Sequence, residues 1–380
     1  MSERSGYRWA RFAAVGVAGL AVGMLVACSS TRSASTSSAD ANTSACLSKV
    51  DSYLKPWDSL PTTLPAYYTP LSKKPPAGKT IIRLVGQVPS DNDSFGQQQV
   101  AAEAIGWQAR KVSFDGTVED LNAKFEQALS EKPAIIALSG WPVASIEKPL
   151  ADAKRAGVVV VLSSVPDEPS STSGFAAAVN GEPTDRAVGE LNAYLFMRAS
   201  KCQGSAAIFS LPFPILKVAA DSFTSAVHAV CPKCKVSYNE VQTKDIGTPA
   251  VTNAIVSKLQ SSPSVKYLYT IIGNVATGVD TALSQAGISG VRIFGQVPDD
   301  NAIKALRQGT NAWWVDTGGI TAWVEFDAAL RAIDAGRPVA DGPGHYPLAV
   351  LTPKNVPDGT GVPVFPVDYR AEFENLWSAG

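Results

Sequence analysis

Few side chains in this chain of 380 residues are suited to covalent chemistry: five cysteines and two histidines. Cys231 and Cys234 enclose Pro232 and Lys233, a spacing found in redox pairs and in half of a zinc site. A four-cysteine zinc site needs a second close pair, and Cys46 and Cys202 lie far apart. A reactive pair gains from opening a helix, where the dipole lowers a thiol pKa. This pair follows a helical pattern and precedes a strand. Structural disulfides are expected among Cys46, Cys202, Cys231 and Cys234, with three pairings open. Cys202 and the Cys231/Cys234 pair each precede a predicted strand. They should lie at the same end of one sheet, and a bond between them is geometrically feasible. His228 falls in a helix and His345 in a Gly/Pro-rich tail, and both read as structural. There is no Gly-x-Ser-x-Gly elbow, P-loop or Gly-x-Gly-x-x-Gly fingerprint. Asp91-Asn92-Asp93 with Gly96 starts like a calcium loop, but Phe95 and Ala102 stand where ligands are required. The chain reads as non-enzymatic, with no cofactor and no metal.

The fifth cysteine has another role. Arg4, Arg8 and Arg11 precede an apolar run that begins near Phe12 and ends in Leu25-Val26-Ala27-Cys28. A positive start, an apolar stretch and small residues before a cut form an export signal. The run is shorter than the roughly 20 residues a membrane span needs. Leu-Val-Ala-Cys resembles the lipobox of bacterial lipoproteins. That resemblance implies a signal peptide over 1–27, cleavage before Cys28, and lipid on Cys28 holding the protein to the outer face of the cell membrane. Residues 28–46 are rich in Ser, Thr and Ala and read as a flexible tether. An N-terminal extension over 47–79 follows, with a short helix interrupted at Pro56 and a proline-rich stretch. A net charge of −1 without a basic cluster argues against nucleic acid as a partner.

These groups must be positioned by the elements that start at Thr80. Short apolar strands such as TIIRLVGQ, AIIALS and VVVVLSS alternate with amphipathic helices, many ending in glycine before the next strand. That pattern predicts an α/β protein with two parallel sheets, each covered by helices on both faces. A capping box at Ser94–Gln97 predicts a helix from Phe95. Gly86-Gln87-Val88-Pro89-Ser90-Asp91-Asn92 recurs as Gly295-Gln296-Val297-Pro298-Asp299-Asp300-Asn301. Either the two copies share only turn and cap chemistry, or Gln87 and Gln296 both mark carboxyl ends of strands, where open α/β sheets bind ligands.

From Thr80 to Pro338 the chain resembles the type I periplasmic sugar-binding proteins, the ribose-binding-like receptors of ABC importers. The resemblance rests on TIIRLVGQ with VPSDNDSFGQQ, AAEAIGW, ALSGWPVASIEKPLADAKRAGVVVVLSS, VNGEPTDRAVGELNAYL and GVRIFGQVPDDNAIKALRQG, in that order. It implies two Rossmann-like lobes joined by a three-strand hinge. The N-terminal lobe would hold 80–181 plus about 318–345, and the C-terminal lobe 182–317 plus about 346–380. The lobes would close on a ligand between them. By position, the resemblance implies contacts from Ser90, Asp91, Asn92 and Phe95, from Ser163 and Ser164, and from Phe213, Asn274, Gln296 and Asp316. Where family members carry charged anchors, this chain has Ser163-Ser164, Leu211-Pro212-Phe213-Pro214 and Gln296. Trp141, Phe213 and one of Trp313 or Trp314 are expected to line the pocket instead, since aromatic faces stack on sugar C–H surfaces. A small neutral solute, sugar or polyol-like, is the expected ligand. The expected partners are an ABC permease and its ATPase, with the protein a monomer. A ligand sensor reporting to a membrane signalling protein, or a receptor for an aromatic solute, is the alternative on the same fold.

Overall fold

The computed structural model describes residues 38–316 and 319–379. The expected signal peptide and Cys28 lie outside them. The first described element is α1 (Ser38–Leu54), so residues 38–46, expected to be tether, are helical. The reason is a buried stripe: Cys46, Val50 and Leu54 repeat every four residues and are all buried. Tyr53 also stacks on Tyr194 with ring centroids 3.8 Å apart.

The first lobe is built from β1 (Thr80–Val85), α2 (Pro89–Ala104), β2 (Gln108–Ser113), α3 (Val118–Ser130), β3 (Ile135–Ser139), α4 (Glu147–Ala156), β4 (Val159–Ser163) and β5 (Ala177–Val179). Its sheet runs β2-β1-β3-β4-β5 with every pair parallel. The inner strands are buried on both faces, which is why they read as continuous Ile/Val/Leu runs. The Thr117 hydroxyl caps α3 by accepting from the Asp120 amide. α4 ends at Gly157 in the left-handed conformation (φ 69°).

The second lobe follows with α5 (Glu182–Ala199), β6 (Ser205–Ser210), α6 (Pro214–Val230), β7 (Lys235–Glu240), α7 (Pro249–Ser261), β8 (Tyr267–Ile272), α8 (Val279–Gln285), β9 (Arg292–Gln296), α9 (Asp300–Arg307) and β10 (Asn311–Asp316). The chain then returns to the first lobe as α10 (Thr321–Ala335), goes back as β11 (Ala349–Leu351), and ends in α11 (Tyr369–Ser378). The second sheet runs β11-β10-β9-β8-β6-β7, parallel except for β11.

The structure differs from the expectation for 346–380. β11 joins the second sheet, but α11 packs on the first lobe: Trp377 stacks on Trp323 of α10 at 5.4 Å and its indole N–H donates to Asp327 Oδ1 at 2.9 Å. Three central passages link the lobes, after β5, after β10 and after α10. The first and third are pinned together, because Asp341 Oδ2 accepts from the Gly181 amide (2.8 Å) and the Thr184 hydroxyl (3.0 Å). Two outer passages are added. One runs from Leu60, packed on the second lobe, to Leu64, buried in the first. The other runs from Phe365 in the second-lobe core to Tyr369 in the first. The Leu64 amide donates to Glu372 of α11 at 2.9 Å, so both outer passages arrive at one place.

The disulfides are Cys46–Cys202 and Cys231–Cys234. The bond entertained between Cys202 and the close pair does not form, because the close pair closes on itself and α1 brings Cys46 to Cys202. The expected proximity is present: Cys231 Sγ lies 3.1 Å from the Cys202 carbonyl oxygen. Cys46–Cys202 spans 156 residues of sequence. Replacing both cysteines with serine should cost about 2–4 kcal/mol and strip amide-exchange protection from α1. An unchanged denaturation midpoint with α1 still protected would show that helix packing alone suffices.

Candidate binding cleft

The carboxyl ends of both sheets face each other, and the space between the lobes is a cleft of about 450 Å³. The first lobe contributes Gln87, Asp91, Ser139, Trp141 and Ser164, with Asn180 at the first passage. The second contributes Asp185, Phe213, the Gln242–Lys244 turn, Ile272 and Gln296. A more polar extension of about 470 Å³ shares Asp91, Ser164 and Asn180 and adds Ser94, Asn274 and Asp299. Trp141 is braced edge-on by Phe114 at 5.5 Å. Phe213 faces it from the other lobe, where a Cβ on Gly140 would sit 4.0 Å from the Phe213 ring.

Three cleft residues hold left-handed backbone: Ser164 (φ 54°), Asn180 (φ 49°) and Val297 (φ 48°). For a β-branched valine this conformation is costly, and such strain collects at ligand sites. Asn180 donates from Nδ2 to Ser164 Oγ at 3.0 Å, tying two of the three together.

Behind the first-lobe wall lies a buried ionic group. Arg83 and Glu325 are each 1% exposed and form an ion pair, and the Ser163 hydroxyl donates to the same glutamate. The second guanidinium nitrogen of Arg83 stands 3.8 Å from Asp91 Oδ1, while the Gly86 amide donates to Asp91 Oδ2 at 3.1 Å. Burial pushes the Asp91 carboxyl up; Arg83 and the Gly86 amide oppose that, and Glu325 adds to it. On the second-lobe wall, Asp185 is 3% exposed and its pKa is pushed up to about 8. Burial is the main cause, the Gln296 hydrogen bond opposes it, and Asp341 adds to it.

Among the residues expected to form a site, Gln87, Asp91, Trp141, Ser164, Phe213, Asn274 and Gln296 line the cleft or its extension. Asn92 and Phe95 do not. α2 begins at Pro89, earlier than the capping box implies, so this segment is helix rather than loop. Helical spacing keeps Asp91 and Ser94 on the cleft face. Asn92 and Phe95 turn instead toward Lys111 of β2, which donates to Asn92 Oδ1 and sits over the Phe95 ring. Ser163, the last residue of β4, points into the core and donates to Glu325, while Ser164 leaves the strand in left-handed backbone and lines the cleft. The side chains of Ser90 and Asp316 lie outside the described residues.

Neither Trp313 nor Trp314 reaches the cleft. Both sit in mid-strand rather than at its carboxyl end. Trp313 packs on Phe294 and donates to Asn192 Oδ1 at 3.0 Å. Trp314 fills the core against Gly295, where any Cβ would meet it at 2.6 Å. Sequence reasoning missed Asn180 and Asp185. The strand-ending Asn180-Gly181 turn is a readable signal for the first. Asp185 is hidden, because an acid in the first turn of a helix is ordinary dipole chemistry. Among the described residues, no cluster of His, Cys, Asp and Glu is arranged to hold a metal, and no helix is long and apolar enough to cross a membrane.

The fold is shared with solved solute-binding proteins. A solute-binding protein from Burkholderia graminis in complex with D-arabinose has a TM-score of 0.64 and 18% identity, covering 75% of this chain and 99% of that one. One from Mycobacterium smegmatis with bound glycerol has a TM-score of 0.63 and 18% identity, covering 76% and 100%. A sugar transporter subunit from Rhodobacter sphaeroides has a TM-score of 0.60 and 16% identity, covering 73% and 99%. No curated protein sequence matches. The model of the periplasmic binding protein domain matches residues 91–335, most of the folded body. With two α/β lobes, a cleft at their facing carboxyl ends and that match, the chain belongs to the periplasmic binding protein domain family.

Proposed function

We propose that this protein captures a small neutral solute, sugar or polyol-like, between its lobes and presents it to an ABC import permease with its ATPase. It works outside the cytoplasm as a monomer, held to the membrane by lipid on Cys28. The observation that carries the reading is the composition of the aromatic half of the cleft. Trp141 and Phe213 supply apolar surface from opposite lobes, and Asp91, Ser164, Asn180 and Gln296 line the same cleft. Flat aromatic faces together with several polar groups in one cleft suit a compact polyhydroxylated molecule. A neutral ligand suits the second-lobe wall, where burial keeps Asp185 mostly protonated at pH 7, and Arg83 is taken up by Glu325 and Asp91 rather than offered to an anion. The solved relatives bound to D-arabinose and glycerol support the class.

Thermal-shift screening of the protein against sugars, polyols, nucleosides and aromatic acids tests this. A ligand at a hundred times its dissociation constant should add about 2.7 kcal/mol of stability. Phe213→Ala should weaken the best hit about tenfold or more, measured by calorimetry. A hit confined to aromatic acids, or a Phe213→Ala variant with full affinity, would overturn the sugar reading or the placement of the site.

A further inference from the structure

A chain of buried polar groups runs from the second-lobe core to the cleft wall. Trp313 donates to Asn192, and Asn192 stands against the Tyr269 hydroxyl. Tyr269 donates to Gln296 Oε1 at 2.7 Å, and Gln296 Nε2 donates to Asp185 Oδ1 at 3.1 Å. Tyr269, Gln296 and Asp185 are 0%, 2% and 3% exposed. The direction of the bonds matters. With Oε1 held by the tyrosine, the Gln296 amide is fixed with its nitrogen toward Asp185. Asp185 has no cation within ion-pair distance among the described residues, yet it lines the cleft. A buried carboxyl with one neutral donor is under-satisfied unless something else bonds to it.

We propose that Asp185 is a specificity-determining residue that hydrogen-bonds one ligand hydroxyl from the second-lobe wall, with Gln296 and Tyr269 as positioning residues. With the carboxyl mostly protonated at pH 7, the remaining oxygen of Asp185 carries the proton, so it and the free N–H of Gln296 together present two donors to the cleft. A hydroxyl oxygen, with two lone pairs, accepts from both, whereas a methylene satisfies neither. Such sites reject an analogue lacking the group because their own polar atoms are left unpaired. This inference rests on the sugar or polyol reading and names which wall of the cleft counts hydroxyls.

The test is calorimetry on the full chain with aldopentoses, aldohexoses and glycerol, followed by each singly deoxygenated form of the sugar that binds. The wild type should bind the parent sugar and reject one deoxy analogue by about tenfold or more. Asp185→Ala should bind the parent about tenfold or more weakly and lose discrimination at that one position while keeping it at the others. Tyr269→Phe, which keeps the ring in place, should lose part of the same discrimination. That is an effect mere core support would not give, because discrimination at the other positions stays. Both variants discriminating as the wild type does would overturn the assignment and leave the sugar reading standing. A wild type that binds none of the probes would overturn both.

Discussion

Asparagine in place of Asp185 should make the protein melt several degrees higher at neutral pH, even though the substitution falls in the binding cleft. The Asp185 carboxyl has its pKa pushed from 3.8 up to about 8 by burial. A raised carboxyl binds its proton more tightly in the folded chain than in the unfolded one. Its contribution to stability is therefore complete below about pH 3.8 and is lost as pH rises toward 8. At pH 7 the accumulated cost is on the order of 4 kcal/mol, roughly three pH units at 1.36 kcal/mol each. Asparagine keeps the shape and still accepts from Gln296, but has no proton to lose. Melting curves from pH 4 to 8.5 should show the two proteins converging at the acid end and separating steadily above it. Parallel curves would mean that Asp185 is solvated in the folded state.

Arg83→Met should act in the opposite direction and cost about 3–5 kcal/mol, the price of breaking a buried ion pair from one side. Methionine fills much of the volume, so the loss is electrostatic rather than a cavity. Glu325, 1% exposed, would keep only the Ser163 hydroxyl, and Asp91 would lose the guanidinium 3.8 Å away. The denaturant midpoint should fall while the slope stays constant. Adding Glu325→Leu to Arg83→Met should recover much of the loss, because a well-packed apolar pair can replace a buried salt bridge. A double variant as unstable as the single one would show that Arg83 serves mainly Asp91. Since Asp91 lines the cleft, ligand affinity should fall along with stability in the single variant.

The repeating order of elements was legible because it is written in hydrophobic period and glycine caps, which are local. Strands β1, β3 and β4 are buried on both faces, and their residues announce it. The site was only partly legible, for two physical reasons. The first is helix phase. Starting α2 at Pro89 instead of Phe95 turns Asn92 and Phe95 toward Lys111 while leaving Asp91 in the cleft, and a capping box inside a helix looks the same as one at its start. The second is distance along the chain. Asp185 and Gln296 meet at 3.1 Å across 111 residues, and neither residue's local sequence carries a trace of the other. The Cys46–Cys202 bond is of the same kind, fixed by where α1 lies rather than by cysteine spacing. Trp313 and Trp314 failed as pocket residues because aromatic size says nothing about depth along a strand.

The two outer passages change the mechanics of the molecule. A receptor that bends at three central strands has one compliant joint. Here the 60–64 segment and the 365–369 segment add two further connections, and they are joined where the Leu64 amide meets Glu372. Springs in parallel add their stiffness. Any movement of one lobe against the other would therefore carry these two straps with it. Its arc would be set by how far they extend as much as by the torsions of the central strands.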